Sequence, residues 1–211
     1  MILAIGCSFT EGAELANPLM SAYPKLLADK FNTTVLNLGM GGASNDYIFR
    51  TVIEQTLNKK YELVVVQWTF PDRMEITVDG QIINLSMSSR WLTVDELDWV
   101  KTYYAGYHNI ILCRQNLLSK ILALDGYFKS TGQPYLFCNV MKFKQDELDN
   151  PAINQLSDKI DTQHFLGWPN EGLVDWASNS HKGSGGHPLE LGHQRIAERI
   201  NEHIRHLGWI S

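Results

Sequence analysis

No apolar run in this chain approaches the about 18 residues that a helix needs to cross a bilayer. The first residues also lack the basic start and long apolar centre of a secretory leader. A cytoplasmic protein with no membrane partner is therefore expected. Cysteine is scarce, with three residues, Cys7, Cys113 and Cys138, and no CxxC pair. An odd, sparse set gives neither a disulfide framework nor a zinc site, and small buried thiols are expected instead. Positive charge is not in excess: 18 Lys and Arg face 23 Asp and Glu, for a net charge of −5. A broad basic surface for phosphate backbones is thereby missing, and no nucleic-acid partner is expected. No HxxxH or His-x-Asp grouping marks a metal site. The glycines at 41 and 42 do not complete GxGxxG, and no Walker lysine follows. Neither metal nor cofactor is expected.

What is present is a 211-residue chain that is 44% hydrophobic and 19% charged, enough for one domain with a substantial core. Short apolar runs alternate with helical stretches, which is the pattern of a parallel sheet covered by helices on both faces. Strands are expected at 1–5, 33–38, 63–68 and 133–140. The run Leu63-Val64-Val65-Val66-Gln67-Trp68 does not alternate, so it belongs at the centre of the sheet. Helices are expected at 18–31, 44–57, 93–105, 107–130 and 188–207. Asp79-Gly80 lies between two β-rich segments and reads as the turn of a hairpin over 76–83. The whole chain, 1–211, reads as one domain with insertions at about 74–105 and 141–180, the latter a decorated segment with short helices.

Three loops follow the first three strands: Gly6-Cys7-Ser8-Phe9-Thr10, Gly39-Met40-Gly41-Gly42-Ala43-Ser44-Asn45-Asp46, and Trp68-Thr69-Phe70-Pro71-Asp72-Arg73. In an open parallel sheet, ligands bind beyond the carboxyl ends of the strands, where all three loops gather. Gly185-Gly186-His187-Pro188 precedes the last helix and can reach the same edge. Either Cys7 or Ser8 can serve as nucleophile once a neighbouring base takes its proton, and His187 is the base in reach. Glycines let backbone N–H groups approach a developing oxyanion. With Pro188 at the first helical position, His187 is expected as the N-cap, where the helix dipole disfavours imidazolium.

The order of these segments resembles the SGNH (GDSL-like) hydrolases, a family of esterases, lipases, acetyl-hydrolases and some acyl-transferases. Gly6-Cys7-Ser8 stands where Gly-Asp-Ser usually does, Asn37-Leu38-Gly39-Met40-Gly41-Gly42 matches the second motif, and His187-Pro188 matches the last. The resemblance implies a three-layer α/β/α sandwich with a central, mostly parallel sheet of flavodoxin-like topology. It also implies Ser8 as nucleophile, His187 as base, and the amides of Ser8 and Gly42 as oxyanion donors.

Two family positions differ here. The third motif, usually Gly-x-Asn-Asp, reads Thr69-Phe70-Pro71-Asp72, and proline has no N–H to donate. Asn45 and Gln67 are the candidate replacements, since each carries a side-chain NH₂. The usual aspartate three residues before the histidine is Ser184. Asp175 or Asp161 can orient the ring instead, or the site can work as a Ser–His dyad. Trp68 and Arg73 are candidates for substrate contact, Trp68 also for plain packing.

The expected activity is hydrolysis of a carboxylic ester, with a short acyl group such as acetyl leaving a carbohydrate or another small molecule. The alternatives are an SGNH-like scaffold that binds a glycan or acylated ligand without turnover, and an acyltransferase that uses the same serine.

Overall fold

The computed structural model describes residues 1–87, 94–178 and 180–209, with the side chains of 94–97 outside the description. Four parallel strands form the central sheet: β1 (Ile2–Ile5), β2 (Val35–Asn37), β3 (Leu63–Trp68) and β6 (Tyr135–Asn139), in the order β2-β1-β3-β6. Beyond β6, Phe165 bridges in parallel to Phe137. The antiparallel hairpin of β4 (Met74–Val78) and β5 (Gln81–Leu85) stands apart. Its turn residues Asp79 and Gly80 have φ of 49° and 78°, as that dipeptide favours.

Alternate residues of the strands feed two cores. Ile2, Leu63, Val65 and Leu136 pack with α3 (Tyr23–Lys30) and α10 (Glu190–Leu207), through Leu27, Ile196 and Ile200. Leu3, Ile5, Val64, Val66 and Phe137 pack on the other side with α4 (Asn45–Thr56) and α6 (Ile110–Thr131), through Ile48, Val52, Leu118 and Ile121. Burial on both faces is why β3 reads as a continuous apolar run. The fold is thus the expected sheet between two helical layers.

Several boundaries differ from the sequence reading. The helix expected over 18–31 is two pieces, α2 (Pro18–Ser21) and α3, with Ala22 extended between them. Pro24 has no N–H for a helix interior, so the chain breaks and seats it in the first turn of α3. The closing helix starts at Glu190 with Leu189 as its N-cap, while Pro188 bridges to Lys182. His187 is therefore not a cap, and the helix-dipole argument made for it does not apply.

The helix expected from 93 begins at Val94 as α5 (Val94–Gly106), and residue 93 lies outside the described residues. Of the two expected insertions, residues 88–93 and 179 also lie outside them. The described part of 141–180 carries α7 (Gln145–Leu148), α8 (Pro151–Ser157) and α9 (Leu173–Trp176). The short α1 (Ser8–Glu11) follows β1 directly. Among the described residues, no helix is long and apolar enough to cross a membrane.

Candidate active site

The carboxyl edge of the sheet is held together by three side-chain amides. Gln67, at the end of β3, accepts at Oε1 from the Cys7 amide (3.1 Å) and the Thr10 hydroxyl (3.0 Å), and donates from Nε2 to the Trp68 carbonyl (2.6 Å). Asn37 donates from Nδ2 to the Thr10 carbonyl (2.8 Å) and accepts from the Gly39 amide (3.0 Å). Asn45 accepts from the Thr69 amide (2.9 Å) and donates to the carbonyls of Thr69 (3.3 Å) and Phe70 (3.0 Å). Buried polar groups need partners, and these amides supply them to loops that lack a ladder. The NH₂ groups of Asn45 and Gln67 are thus engaged by carbonyls of the β3 end. Asn45 and Gln67, expected as replacements for the oxyanion asparagine, tie loops together here, and neither lines the cleft described below.

Ser8 opens α1, and its Oγ donates toward His187 Nε2 across 2.9 Å, joining residues 179 apart in sequence. His187 ends a tight turn in which the Gly186 amide donates to the Gly183 carbonyl (3.0 Å) and the Gly183 amide to the His187 carbonyl (2.9 Å). The Phe9 ring flanks the imidazole at 5.5 Å between centroids.

The other ring nitrogen, Nδ1, lies 2.8 Å from Oε2 of Glu14. Sequence reading missed this residue. Glu14 also accepts from the amides of Gly185 (2.6 Å) and His187 (3.1 Å) and from the Ser184 hydroxyl (3.1 Å). The Gly185 amide above all, then the His187 ring and amide and Ser184, pull its carboxyl down to about 2. A carboxylate that stays ionised can only accept, so Nδ1 carries the proton and Nε2 is free to receive one from Ser8.

Two observations set Glu14 apart. Its φ is +69°, a region that residues with a Cβ rarely occupy and that recurs at functional sites. The turn also closes on it so tightly that a Cβ at Gly183 would stand 2.5 Å from the Glu14 Cδ.

Other expected site residues fall elsewhere. Asp175 accepts from the Gly172 amide (2.9 Å) at the start of α9 and does not orient His187. Ser184 touches Glu14, not the ring. Asp161 pairs with Lys129 and His164. Trp68 is fully buried against Phe137, so the expectation of substrate contact is corrected to core packing. Cys7 is buried, with its amide and thiol directed to Gln67.

Ser8, Gly42, His187, Phe9, Phe70 and Arg73 line one open cleft of about 620 Å³. Gly42 has φ of +74°, which glycine adopts without cost at this turn. Among the backbone hydrogen bonds of the described residues, the amides of Ser8 and Gly42 donate to none.

The fold is that of the GDSL-type lipolytic proteins and esterases. A protein of the G-D-S-L family from Desulfitobacterium hafniense superposes with a TM-score of 0.58 at 13% identity, over 96% of this chain and 98% of that one. The psychrotrophic esterase EstA from Pseudoalteromonas gives 0.56 at 13%, over 98% and 97%. A family two carbohydrate esterase from Clostridium thermocellum, solved with cellohexaose, gives 0.54 at 14%; the match spans 99% of this chain and 65% of that one. No curated protein matches the chain in sequence. By its sequence the chain belongs to the family described as "Family of unknown function (DUF6071)", whose model matches residues 16–211 and so begins beyond Ser8 and Glu14.

Proposed function

We propose that this protein is a serine ester hydrolase that removes a short acyl group from a carbohydrate or another small ester. The observation that carries the reading is the continuous relay Ser8–His187–Glu14, with contacts of 2.9 and 2.8 Å, whose serine and histidine line an open cleft. Ser8 Oγ attacks the carbonyl carbon while its proton passes to His187 Nε2. The oxyanion that forms takes hydrogen bonds from the amides of Ser8 and Gly42. Collapse expels the alcohol, which takes the proton from His187. Water then repeats the sequence on the acyl-serine and releases the acid. Glu14 acts on the ring, holding its tautomer and balancing the positive charge that develops there.

The carbohydrate side of the proposal leans on neighbours of the same fold, one solved with cellohexaose and another active on acetylated mannans. A binding module without turnover was suggested by the missing aspartate and asparagine. Glu14 now stands against the ring from a different part of the chain, which leaves only the asparagine as a motive. A fluorophosphonate probe tests the proposal. Labelling of Ser8 that vanishes in Ser8→Ala, together with hydrolysis of p-nitrophenyl acetate, is expected. A folded protein that neither labels nor hydrolyses any ester would overturn it.

A further inference from the structure

Arg73 lines the same cleft as Ser8 and His187. It sits in the turn after β3, where its amide donates to the Phe70 carbonyl (3.2 Å). The guanidinium carbon lies 5.0 Å from the centre of the Phe70 ring, and Nη1 makes one long bond, 3.4 Å, to the Ala43 carbonyl. Several carboxylates of the surrounding loops have other partners. Lys120 takes Asp46 (3.0 Å), Arg50 takes Glu75 (2.7 Å), and His187 and its turn take Glu14. The Asp72 carboxylate accepts from the Met87 amide at 3.5 Å.

Among the described residues, no carboxylate reaches ion-pair distance of Arg73. The rest of the lining adds apolar Phe9, Ala13 and Val174, and no second permanent charge. A guanidinium over an aromatic ring is partly oriented by it, and it presents a fork of donors that fits a carboxylate or phosphate.

We infer that the cleft takes an ester that carries a negative group, a carboxylate or a phosphate, and that Arg73 binds this group and so selects the substrate. The word "ester" rests on the function proposed above; the anion site does not.

The anion site is tested without turnover, in the Ser8→Ala protein, with monomethyl succinate and methyl phosphate as probes. Binding is followed through the backbone amide resonances of Gly42 and Phe70, which line the cleft and are kept in every variant. Saturable shifts with at least one probe are expected, weakened roughly 10- to 100-fold in Arg73→Gln. Arg73→Lys keeps the charge but loses the fork, and should fall between the two. It also serves if the glutamine variant does not fold. No shift with either anion, or equal binding by the variants, overturns the inference.

Selection is then read on matched esters. Mono-p-nitrophenyl glutarate against p-nitrophenyl pentanoate places the anion on the acyl side. 3-Acetoxybenzoate against phenyl acetate places it on the alcohol side. Arg73→Gln should lower the charged-to-neutral ratio of kcat/KM in one of these pairs by roughly 10- to 100-fold, through KM. An unchanged ratio in both pairs overturns selection. If anions bind at Arg73 but no ester is cleaved and Ser8 is not labelled, the hydrolase reading fails and the anion site stands.

Discussion

Among the described residues two histidine–carboxylate pairs occur, and they differ in what surrounds them. Glu14 and His187 meet at 2.8 Å, Asp161 and His164 at 3.0 Å. Both carboxyls are held at about 2, for unlike reasons. Glu14 is lowered first by the Gly185 amide and then by His187. For Asp161 burial pushes upward, and Lys129, the Gln163 amide and His164 outweigh it. The far nitrogen of His187 faces the Ser8 hydroxyl in an open cleft. The His164 ring is instead stacked between Tyr135 (4.4 Å) and Trp209 (4.8 Å), and Lys129 shares its carboxylate. A depressed carboxylate beside an imidazole therefore marks tight packing of charge. Chemistry needs a hydroxyl on the other nitrogen and space in front of it.

The comparison is tested most strongly at the two rings. His187→Ala should cut kcat/KM for p-nitrophenyl acetate by about 10³-fold or more. His164→Ala should lower the unfolding midpoint and leave the fluorophosphonate labelling of Ser8 in place. Next come the carboxylates. Glu14→Gln can leave the geometry intact but favour the wrong tautomer, and should lower kcat by about 10²- to 10⁴-fold with KM little changed. Asp161→Asn should shift stability and not kcat. Comparable losses of turnover in both variants would erase the distinction between the pairs.

Acid titration gives a smaller effect. A carboxyl depressed in the folded state stabilises fully above its unfolded value, 4.5 for Glu14 and 3.8 for Asp161. That stabilisation fades as the pH falls toward about 2. Urea midpoints should decline through that window, and each of Glu14→Gln and Asp161→Asn should flatten the decline. The buried His193, lowered from 6.5 to about 4 chiefly by burial, adds an earlier loss as the pH drops below about 6.5. His193→Gln should remove that first phase only. The smallest change is Gly183→Ala, whose Cβ would press on Glu14. It should cost about 1–3 kcal/mol in thermal or urea unfolding and slow labelling of Ser8.

Much of the fold was legible because burial on two faces writes itself into the chain. Leu63–Val66 is apolar without a break, and α10 carries Ile196, Ile200 and Ile204 at helical spacing. Element ends were less legible. Pro24 breaks a run that periodicity joins, and Pro188 bridges to Lys182 where its identity suggested a helix start. The carboxylate of the candidate site was not legible at all. The spacing known from the SGNH hydrolases, an aspartate three residues before a histidine, does occur in this chain, at Asp161 and His164, and there it builds the closed pair. Glu14 stands 173 residues from its histidine, and nothing in Ala13-Glu14-Leu15 announces it. The nearest signal was the glycine-rich turn 183–186, open enough for a carboxylate to enter from outside.

By itself the sequence determined which segments are strands, which helices cover them, and that small residues and a serine crowd one edge of the sheet. These follow from local periodicity and from the steric needs of turns, which act over a few residues. Only the tertiary structure decided which acid meets which imidazole, and that Asn45, Gln67 and Trp68 hold the scaffold rather than face the cleft. Such contacts depend on where distant loops arrive in space, and a carboxylate in the first loop reads the same whether or not a histidine will land beside it.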